Sequence, residues 1–200
     1  MDPRRARPTV VLHVHLSEEA LLAHLAGSAC GAGVARIEQV GPVTLGLVQR
    51  FLNRADCDVR VMPVIDPADT PPADGYEIPR RIREAMFLQI PASVFPWGTN
   101  TSRRMDLDHT IPYRSPARGG PPGQTATDNL GPLSRTEHRL KTHSGWRLRQ
   151  PAQGLYLWRS PFGATYLVTN AGTQDLGENE FADTIWREAG PHPQTAGAAA

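Results

Sequence analysis

The sequence predicts an α+β domain, in which short strands and short helices occupy separate stretches of the chain. Residues 104–111 have a strand pattern, a loop rich in glycine and proline follows, and a helix then begins near Leu130 or Pro132 and ends near Thr142. From residue 146 onward, three short segments alternate apolar and polar residues between turn signals. A β-loop-α stretch followed by a β-meander is the basis for the predicted class.

Residues 1–73 are predicted to form a separate unit that mixes strands and helices. TVVLHVHL at residues 9–16 alternates like a strand, and Ser17 is predicted to cap the helical stretch EEALLAHLAG. Thr44 is predicted to cap a second helix, LGLVQRFLN, and DVRVMPVID is a further strand candidate. The proline pair in TPPADG then marks a linker to the next unit.

The rest of the chain is predicted to contain three further regions. Residues 74–145 begin with the helical pattern GYEIPRRIREAMFLQI and continue into the β-loop-α stretch. Residues 146–176 form the meander, and residues 177–200 are predicted to be a low-complexity tail without a fixed fold. Tyr156 and Trp158 lie on one face of the meander, where they either stack on nucleic-acid bases or, as aromatics on small sheets usually do, pack in the core. The opposite face carries the predicted packing residues Trp146, Leu148, Leu155, Leu157 and Leu167.

Composition restricts the class of protein. No apolar run approaches the length of about 20 residues that a membrane helix needs, and the amino terminus lacks the core of a signal peptide. The sequence therefore predicts a cytoplasmic protein. Cys30 and Cys57 are far apart and have no CxxC spacing, which indicates neither a disulfide framework nor a cysteine-rich zinc site.

Positive charge is concentrated in one part of the chain. The formal net charge is +1, yet residues 101–150 hold nine Arg or Lys residues against four acidic ones. Such an excess is typical of a phosphate-binding surface, although arginine also serves solubility alone. Of the 21 basic residues, Lys141 is the single lysine, and it falls within this segment.

Four polar residues in the β-loop-α stretch are candidates for a site. Asp108 and His109 adjoin at the end of the predicted strand, Asn129 follows 20 residues later, and His138 lies nine residues after Asn129. A carboxylate beside an imidazole can hold a hard cation and accept a proton from water, but the pair alone is more typical of a surface Asp-His pair.

This spacing resembles the histidine, asparagine, histidine pattern of HNH endonucleases, whose fold is a ββα-metal unit. Companion features agree: a proline three residues after His109, a Gly-Gly pair in the loop, Asn-Leu at the expected helix start, and a basic residue after His138. The longer stretches DGYEIPRRIREAMFLQIPASVFPW, SRRMDLDHTIPY, GGPPGQT, EHRLKTHSGW and LYLWRSPFGATYLV are similar to the carboxy-terminal half of the 13E12 repeat family, HNH proteins that follow a helical domain of unknown function. The resemblance covers roughly residues 9–176. It implies that residues 1–73 are an α/β remnant of that upstream domain in an amino-terminally truncated member.

The resemblance also implies a function and a role for each residue. His109 would activate water, Asp108 and His138 would hold one divalent ion, and Asn129 would fix the loop so as to orient His109. The implied reaction is hydrolysis of DNA phosphodiester bonds by a cytoplasmic protein that is nucleoid-associated when bound to DNA. Mg²⁺ is the favoured ion, with Mn²⁺, Ni²⁺ or Zn²⁺ as alternatives, and neither an organic cofactor nor a membrane partner is expected. The basic residues expected to contact DNA are Arg103, Arg104, Arg135, Arg139 and Lys141.

Several departures from the family pattern leave an alternative open. Related proteins often carry zinc-binding cysteines near the positions of Gly98, Met105 and Ser134, so no structural zinc is expected here. The third metal ligand of some members is replaced by Thr142. At Glu137, a His or Cys is more common, and the glutamate would repel phosphate, bind a second ion or have no role. The alternative function is a catalytically inactive DNA-binding remnant of such a nuclease. The oligomeric state, DNA sequence specificity and the choice between nicking and double-strand cleavage stay open.

Overall fold

The computed structural model describes residues 12–19, 22, 26, 34–38, 40–54 and 70–190, and its chain divides into two compact units, Met1–Pro63 and Val64–Ala200. The predicted strand DVRVMPVID and most of the helix predicted after Ser17 lie outside the described residues. Of the described helices, none is long and apolar enough to cross a membrane. The architecture is α+β with small antiparallel sheets, as the sequence predicted.

The first unit contains a three-stranded antiparallel sheet. Strand β1 (Val14–His15) pairs with β2 (Val34–Ile37), and β2 pairs with β3 (Gly41–Thr44). Helix α1 (Leu45–Leu52) begins directly after Thr44, as predicted, although the Thr44 side chain makes no capping hydrogen bond.

The second unit opens with helix α2 (Arg80–Gln89), preceded by Pro79 in an extended conformation. The helix begins five residues later than the pattern predicted, because the proline separates an irregular stretch from the helical turns. Ile82 and Met86 are fully buried on the predicted apolar face.

A two-stranded sheet and a helix follow. Strand β4 (Asp106–His109) pairs antiparallel with β5 (Leu130–Leu133), and helix α3 (Arg135–His143) begins after Ser134. The prediction that a helix starts at Leu130 or Pro132 was wrong. Residues 130–133 are buried along their whole length, and the Pro132 carbonyl accepts a hydrogen bond from Val94 N–H at 2.9 Å.

The capping of α3 explains where the helix does begin. The Ser134 hydroxyl accepts from Glu137 N–H at 3.3 Å, and the Glu137 carboxylate accepts from Ser134 N–H at 2.6 Å, which is a complete capping box. Ser93 also donates to Glu137 at 2.7 Å. Glu137 thus ties the start of α3 to the preceding loop, a structural role that the sequence alone did not indicate.

The meander has four strands, one more than predicted. They are β6 (Arg147–Ala152), β7 (Leu155–Arg159), β8 (Thr165–Thr169) and β9 (Gly172–Gly177), in sequential antiparallel order. Tyr156 and Trp158 are buried, and they donate hydrogen bonds to the carbonyls of Leu130 at 2.7 Å and Val94 at 2.6 Å. Of the two alternatives for these aromatics, packing in the core is therefore the one observed. The face that carries them joins the core, whereas four of the five residues predicted to pack are only partly buried.

Residues beyond the meander differ from the predicted tail. Helix α4 (Glu180–Glu188) is capped by the Asn179 side chain, which accepts from Ala182 N–H at 3.0 Å, and it buries Ala182 and Trp186. Burial of Trp186 on an amphipathic helix stabilises residues 180–188. The low-complexity composition of the residues that follow had suggested that this whole region has no fixed fold. Residues 191–200 lie outside the described residues.

The core of the second unit lies between α2, the β4–β5 hairpin and the meander. It is built from Ile82, Met86, Phe87, Ile90, Val94, Met105, Leu107, Leu130, Leu133, Tyr156, Trp158 and Val168. Gly131 lies where β5 meets this core, since a Cβ there would approach Val94 Cγ2 to 2.8 Å. One face of the β4–β5 hairpin therefore packs on this core, and its other face is directed toward α3.

Candidate metal and nucleic-acid site

The two strands and the helix bring together the four residues singled out in the sequence. Alternation along β4 directs Asp106 and Asp108 to one face, while Leu107 and His109 are buried on the other. Asn129 comes directly before β5, and His138 lies on the second turn of α3. The β4–β5–α3 order therefore places two carboxylates against the helix and the buried histidine behind them.

His138 bridges the two carboxylates of β4. Its Nδ1 lies 2.9 Å from Asp106 Oδ2, and its Nε2 lies 3.4 Å from Asp108 Oδ1. The hydrogen bond from His138 lowers the pKa of Asp106, against a smaller opposing effect of burial, and Arg135 adds to the lowering. An ionised Asp106 accepts a hydrogen bond from Nδ1–H, so the tautomer protonated at Nδ1 alone has its Nε2 lone pair beside Asp108.

Lys141, which lies one turn further along α3 than His138, contacts the Asp108 carboxylate. Its ammonium lies 2.5 Å from Asp108 Oδ2 and 2.5 Å from the main-chain carbonyl oxygen of His109. The two oxygens of Asp108 thus have different neighbours, an ammonium on Oδ2 and an imidazole nitrogen near Oδ1.

His109 is held in a defined tautomer by a chain of hydrogen bonds. Its Nε2 lies 2.9 Å from Thr125 Oγ1, and the Thr125 hydroxyl donates its single proton to the carbonyl of Gly75 at 2.6 Å. Thr125 must then accept from Nε2–H, so that Nδ1 carries the free lone pair. Burial lowers the pKa of His109, outweighing the Asp108 carboxylate, which raises it. The imidazole is accordingly a neutral base at pH 7.

Aromatic side chains enclose the His109 ring. The Tyr76 ring stacks on it with centroids 5.6 Å apart and planes at 20°, and the Tyr113 ring lies 5.8 Å away. Tyr76 itself is 66% exposed, so the ring stack reaches the surface of the unit.

Asn129 joins the loop to the chain just after β4. Its Oδ1 accepts from Ile111 N–H at 2.8 Å, and its Nδ2 donates to the carbonyls of Gln124 at 2.9 Å and Ile111 at 3.3 Å. The side chain is buried, being 3% exposed. Asn129 therefore fixes the chain on both sides of His109 without lying among the charged groups.

The donor atoms fit a hard divalent ion with two protein ligands. Adjacent ligands of one Mg²⁺, each at about 2.1 Å, lie about 3 Å apart, which is close to the Nε2–Oδ1 separation. Across the described residues, no three His, Cys, Asp or Glu side chains are arranged to hold a metal ion. Thr142 is directed elsewhere, since its hydroxyl donates to the His138 carbonyl at 2.9 Å. The remaining coordination positions would fall to atoms from outside the protein, such as water.

The basic residues predicted to contact DNA differ in their surroundings. Arg103 pairs with Glu84 and lies over the Phe87 ring, and Lys141 is committed to Asp108. Arg104, Arg135 and Arg139 are exposed, although Arg135 also pairs with Asp106 at 3.2 Å. The exposed arginines at the start of β4 and along α3 are the better placed to meet a phosphate backbone.

Sequence reasoning missed three residues of the site. Asp106 precedes Asp108 by two positions, and this i, i+2 spacing on a strand could have indicated a shared face. Tyr76 lies 33 positions before His109 and Thr125 lies 16 positions after it, and no local sequence signal pointed to either residue.

Comparison with known proteins yields relatives without an assigned activity. Neither a family model nor a solved structure matches the chain. It is 33% identical over 101 residues to the uncharacterized protein Rv3776 of Mycobacterium tuberculosis (strain ATCC 25618 / H37Rv), covering 50% of this chain and 18% of that protein. It is 29% identical over 134 residues to the uncharacterized protein Rv2100 of the same strain, covering 66% and 22%. The chain thus spans about a fifth of the length of the curated relatives it matches.

Proposed function

We propose that the protein is a metal-dependent phosphodiesterase, and more particularly an HNH endonuclease that hydrolyses DNA. The observation that carries this proposal is the grouping of Asp108 Oδ1 and His138 Nε2, 3.4 Å apart, beside a His109 whose tautomer leaves Nδ1 as a proton acceptor. A carboxylate, an imidazole ligand and a neutral base are the groups that hydrolysis of a phosphodiester requires.

Each residue has a distinct task in this reaction. Asp108 and His138 would hold the ion, with Asp106 keeping the His138 Nδ1 proton in place. When bound, a divalent ion such as Mg²⁺ would stabilise charge on the phosphoryl oxygens and on the leaving 3′ oxygen. His109 Nδ1 takes a proton from the water whose oxygen attacks phosphorus.

The surroundings of His109 support its role as the base. Proton transfer to Nδ1 leaves a positive imidazolium, which the neighbouring Asp108 carboxylate stabilises. Thr125 holds the ring through Nε2, and Asn129 holds the chain that follows it. Both contacts restrict the ring to one orientation before substrate binds.

A plasmid assay tests the proposal. Purified protein is incubated with supercoiled plasmid in Mg²⁺, Mn²⁺ or EDTA, alongside His109→Ala and Asn129→Ala. The matched control is His143→Ala, which removes an exposed histidine from the end of the same helix. Cleavage is expected to need metal, to disappear with His109→Ala, and to persist with His143→Ala. Equal cleavage by the wild type and His109→Ala would indicate a contaminating nuclease and contradict the proposal.

A DNA-binding remnant that does not cut is the second candidate, favoured by the ammonium of Lys141 on a predicted metal ligand and by the two-ligand donor set. It predicts DNA binding that weakens with salt, survives EDTA and is not accompanied by strand cleavage in any metal. A gel-shift titration at several salt concentrations, run beside the plasmid assay, separates the two functions.

A further inference from the structure

The single lysine of the chain is an internal cation of the site. The Lys141 side chain is 14% exposed, and its ammonium contacts Asp108 Oδ2 and the His109 carbonyl oxygen, each at 2.5 Å. All other basic residues are arginine. The ammonium of lysine is compact and can donate to two acceptors that lie close together, whereas the guanidinium of arginine is a wider, planar group whose donors have fixed directions.

The contact with Lys141 changes what Asp108 can offer an ion. One carboxylate oxygen is taken by the ammonium, so Oδ1, the oxygen near His138, is the one left as a ligand. Asp108 can therefore bind through one oxygen rather than through both.

Lys141 also changes the charge of the cluster. Asp106 and Asp108 together carry two negative charges, and Lys141 and Arg135 carry two positive charges in contact with them. A neutral cluster with two protein ligands attracts a divalent ion weakly, since Mg²⁺ sites usually combine one or two carboxylates with substrate phosphates.

We propose that Lys141 makes ion binding depend on DNA: the protein alone binds a divalent ion weakly, and the phosphodiester supplies the missing negative charge and ligand oxygen. This inference rests on the proposed function, because it takes Asp108 and His138 as the ligands. Lys141 is then a positioning residue, which acts through Asp108. Its consequence is that the ion joins the site together with the substrate.

The test measures Mn²⁺ affinity of the DNA-free protein by electron paramagnetic resonance of the free ion. Lys141→Met is expected to bind Mn²⁺ at least tenfold more tightly than the wild type, because an ammonium about 4 Å from a divalent ion costs about 2 kcal/mol even in water. Lys141→Arg keeps the charge and should stay weak. Arg118→Met, which removes an equal charge from an exposed loop, should change the affinity less than twofold. Weaker or unchanged binding by Lys141→Met would overturn the inference, since a purely structural lysine would lower the affinity when removed.

A second arm adds a short DNA duplex to His109→Ala protein, which binds but should not cut. DNA is expected to raise Mn²⁺ affinity at least tenfold with Lys141 present and distinctly less in His109→Ala/Lys141→Met. If circular dichroism shows that Lys141→Met is unfolded, Lys141→Gln replaces it in the measurements with and without DNA. Asp108→Asn separates the proposed metal site from the proposed role of Lys141. If Asp108→Asn binds Mn²⁺ as the wild type does, the metal site itself is wrong. If Asp108→Asn loses binding but Lys141→Met does not bind more tightly, only the role of Lys141 is refuted.

Discussion

Replacing Asn129 with alanine should destabilise the second unit strongly, because the side chain satisfies three buried or partly buried backbone groups. The two shorter bonds, to Ile111 N–H at 2.8 Å and to the Gln124 carbonyl at 2.9 Å, are the main losses. A backbone group left unpaired by such a deletion costs about 1–3 kcal/mol, so Asn129→Ala is expected to lower the free energy of unfolding by about 3 kcal/mol. This is a large part of the stability of a typical domain, which is about 5–15 kcal/mol.

Urea denaturation followed by tryptophan fluorescence measures this change, since Trp158 is fully buried in the same core. Asn170→Ala is the matched control: its exposed amide donates one bond to the Gln89 carbonyl at 2.9 Å, and its loss should cost less than about 1 kcal/mol. A loss below about 1 kcal/mol for Asn129→Ala, or one equal to that of Asn170→Ala, would refute the structural role assigned to this asparagine.

Three further predictions concern the site and the core. Thr125→Val should remove the hydrogen bond that fixes the His109 tautomer, which NMR would detect as changed chemical shifts of the ring nitrogens. The same substitution should lower plasmid cleavage about tenfold, which corresponds to a barrier higher by about 1.4 kcal/mol. An unchanged tautomer would contradict the hydrogen-bond assignment. Asp106→Ala should weaken Mn²⁺ binding about 10- to 100-fold by removing the partner of His138 Nδ1, and unchanged titration curves would argue against that partnership. Burial raises the pKa of Tyr156, so the folded protein keeps a proton that the unfolded chain releases above pH ~10, and the free energy of unfolding should fall as pH rises further. Tyr156→Phe should flatten this alkaline loss in urea titrations at pH 9 to 11, while an identical slope would count against it.

Local patterns predicted those parts of the fold that neighbouring residues decide. Alternation located β4, and the polar start and apolar face located α2, since these signals lie within a few residues of each other. The four candidate residues were likewise chosen from a local signal, the spacing of His109, Asn129 and His138, which resembles the HNH pattern.

Long-range contacts decided what the local patterns misjudged. The local pattern predicts that a helix begins within LGPL at residues 130–133, yet this segment is a strand because it pairs with β4 and is covered by Val94 and Tyr156. Which face of the meander is buried depended in the same way on α2 and the hairpin, elements far away in the chain. Glu137, which caps α3 locally with Ser134, also gains a long-range partner in Ser93, 44 positions earlier.

The sequence by itself predicted four residues of the candidate site and their order in the chain, but not Asp106, Thr125 or Tyr76. It did not determine their states, because each state depends on a partner distant in the chain. His138 acquires its tautomer from Asp106, 32 positions away, and Asp108 shares its charge with Lys141, 33 positions away. Only the packing of α3 against the β4–β5 hairpin brings these groups within hydrogen-bond distance, and that packing places Asp108 Oδ1 beside His138 Nε2.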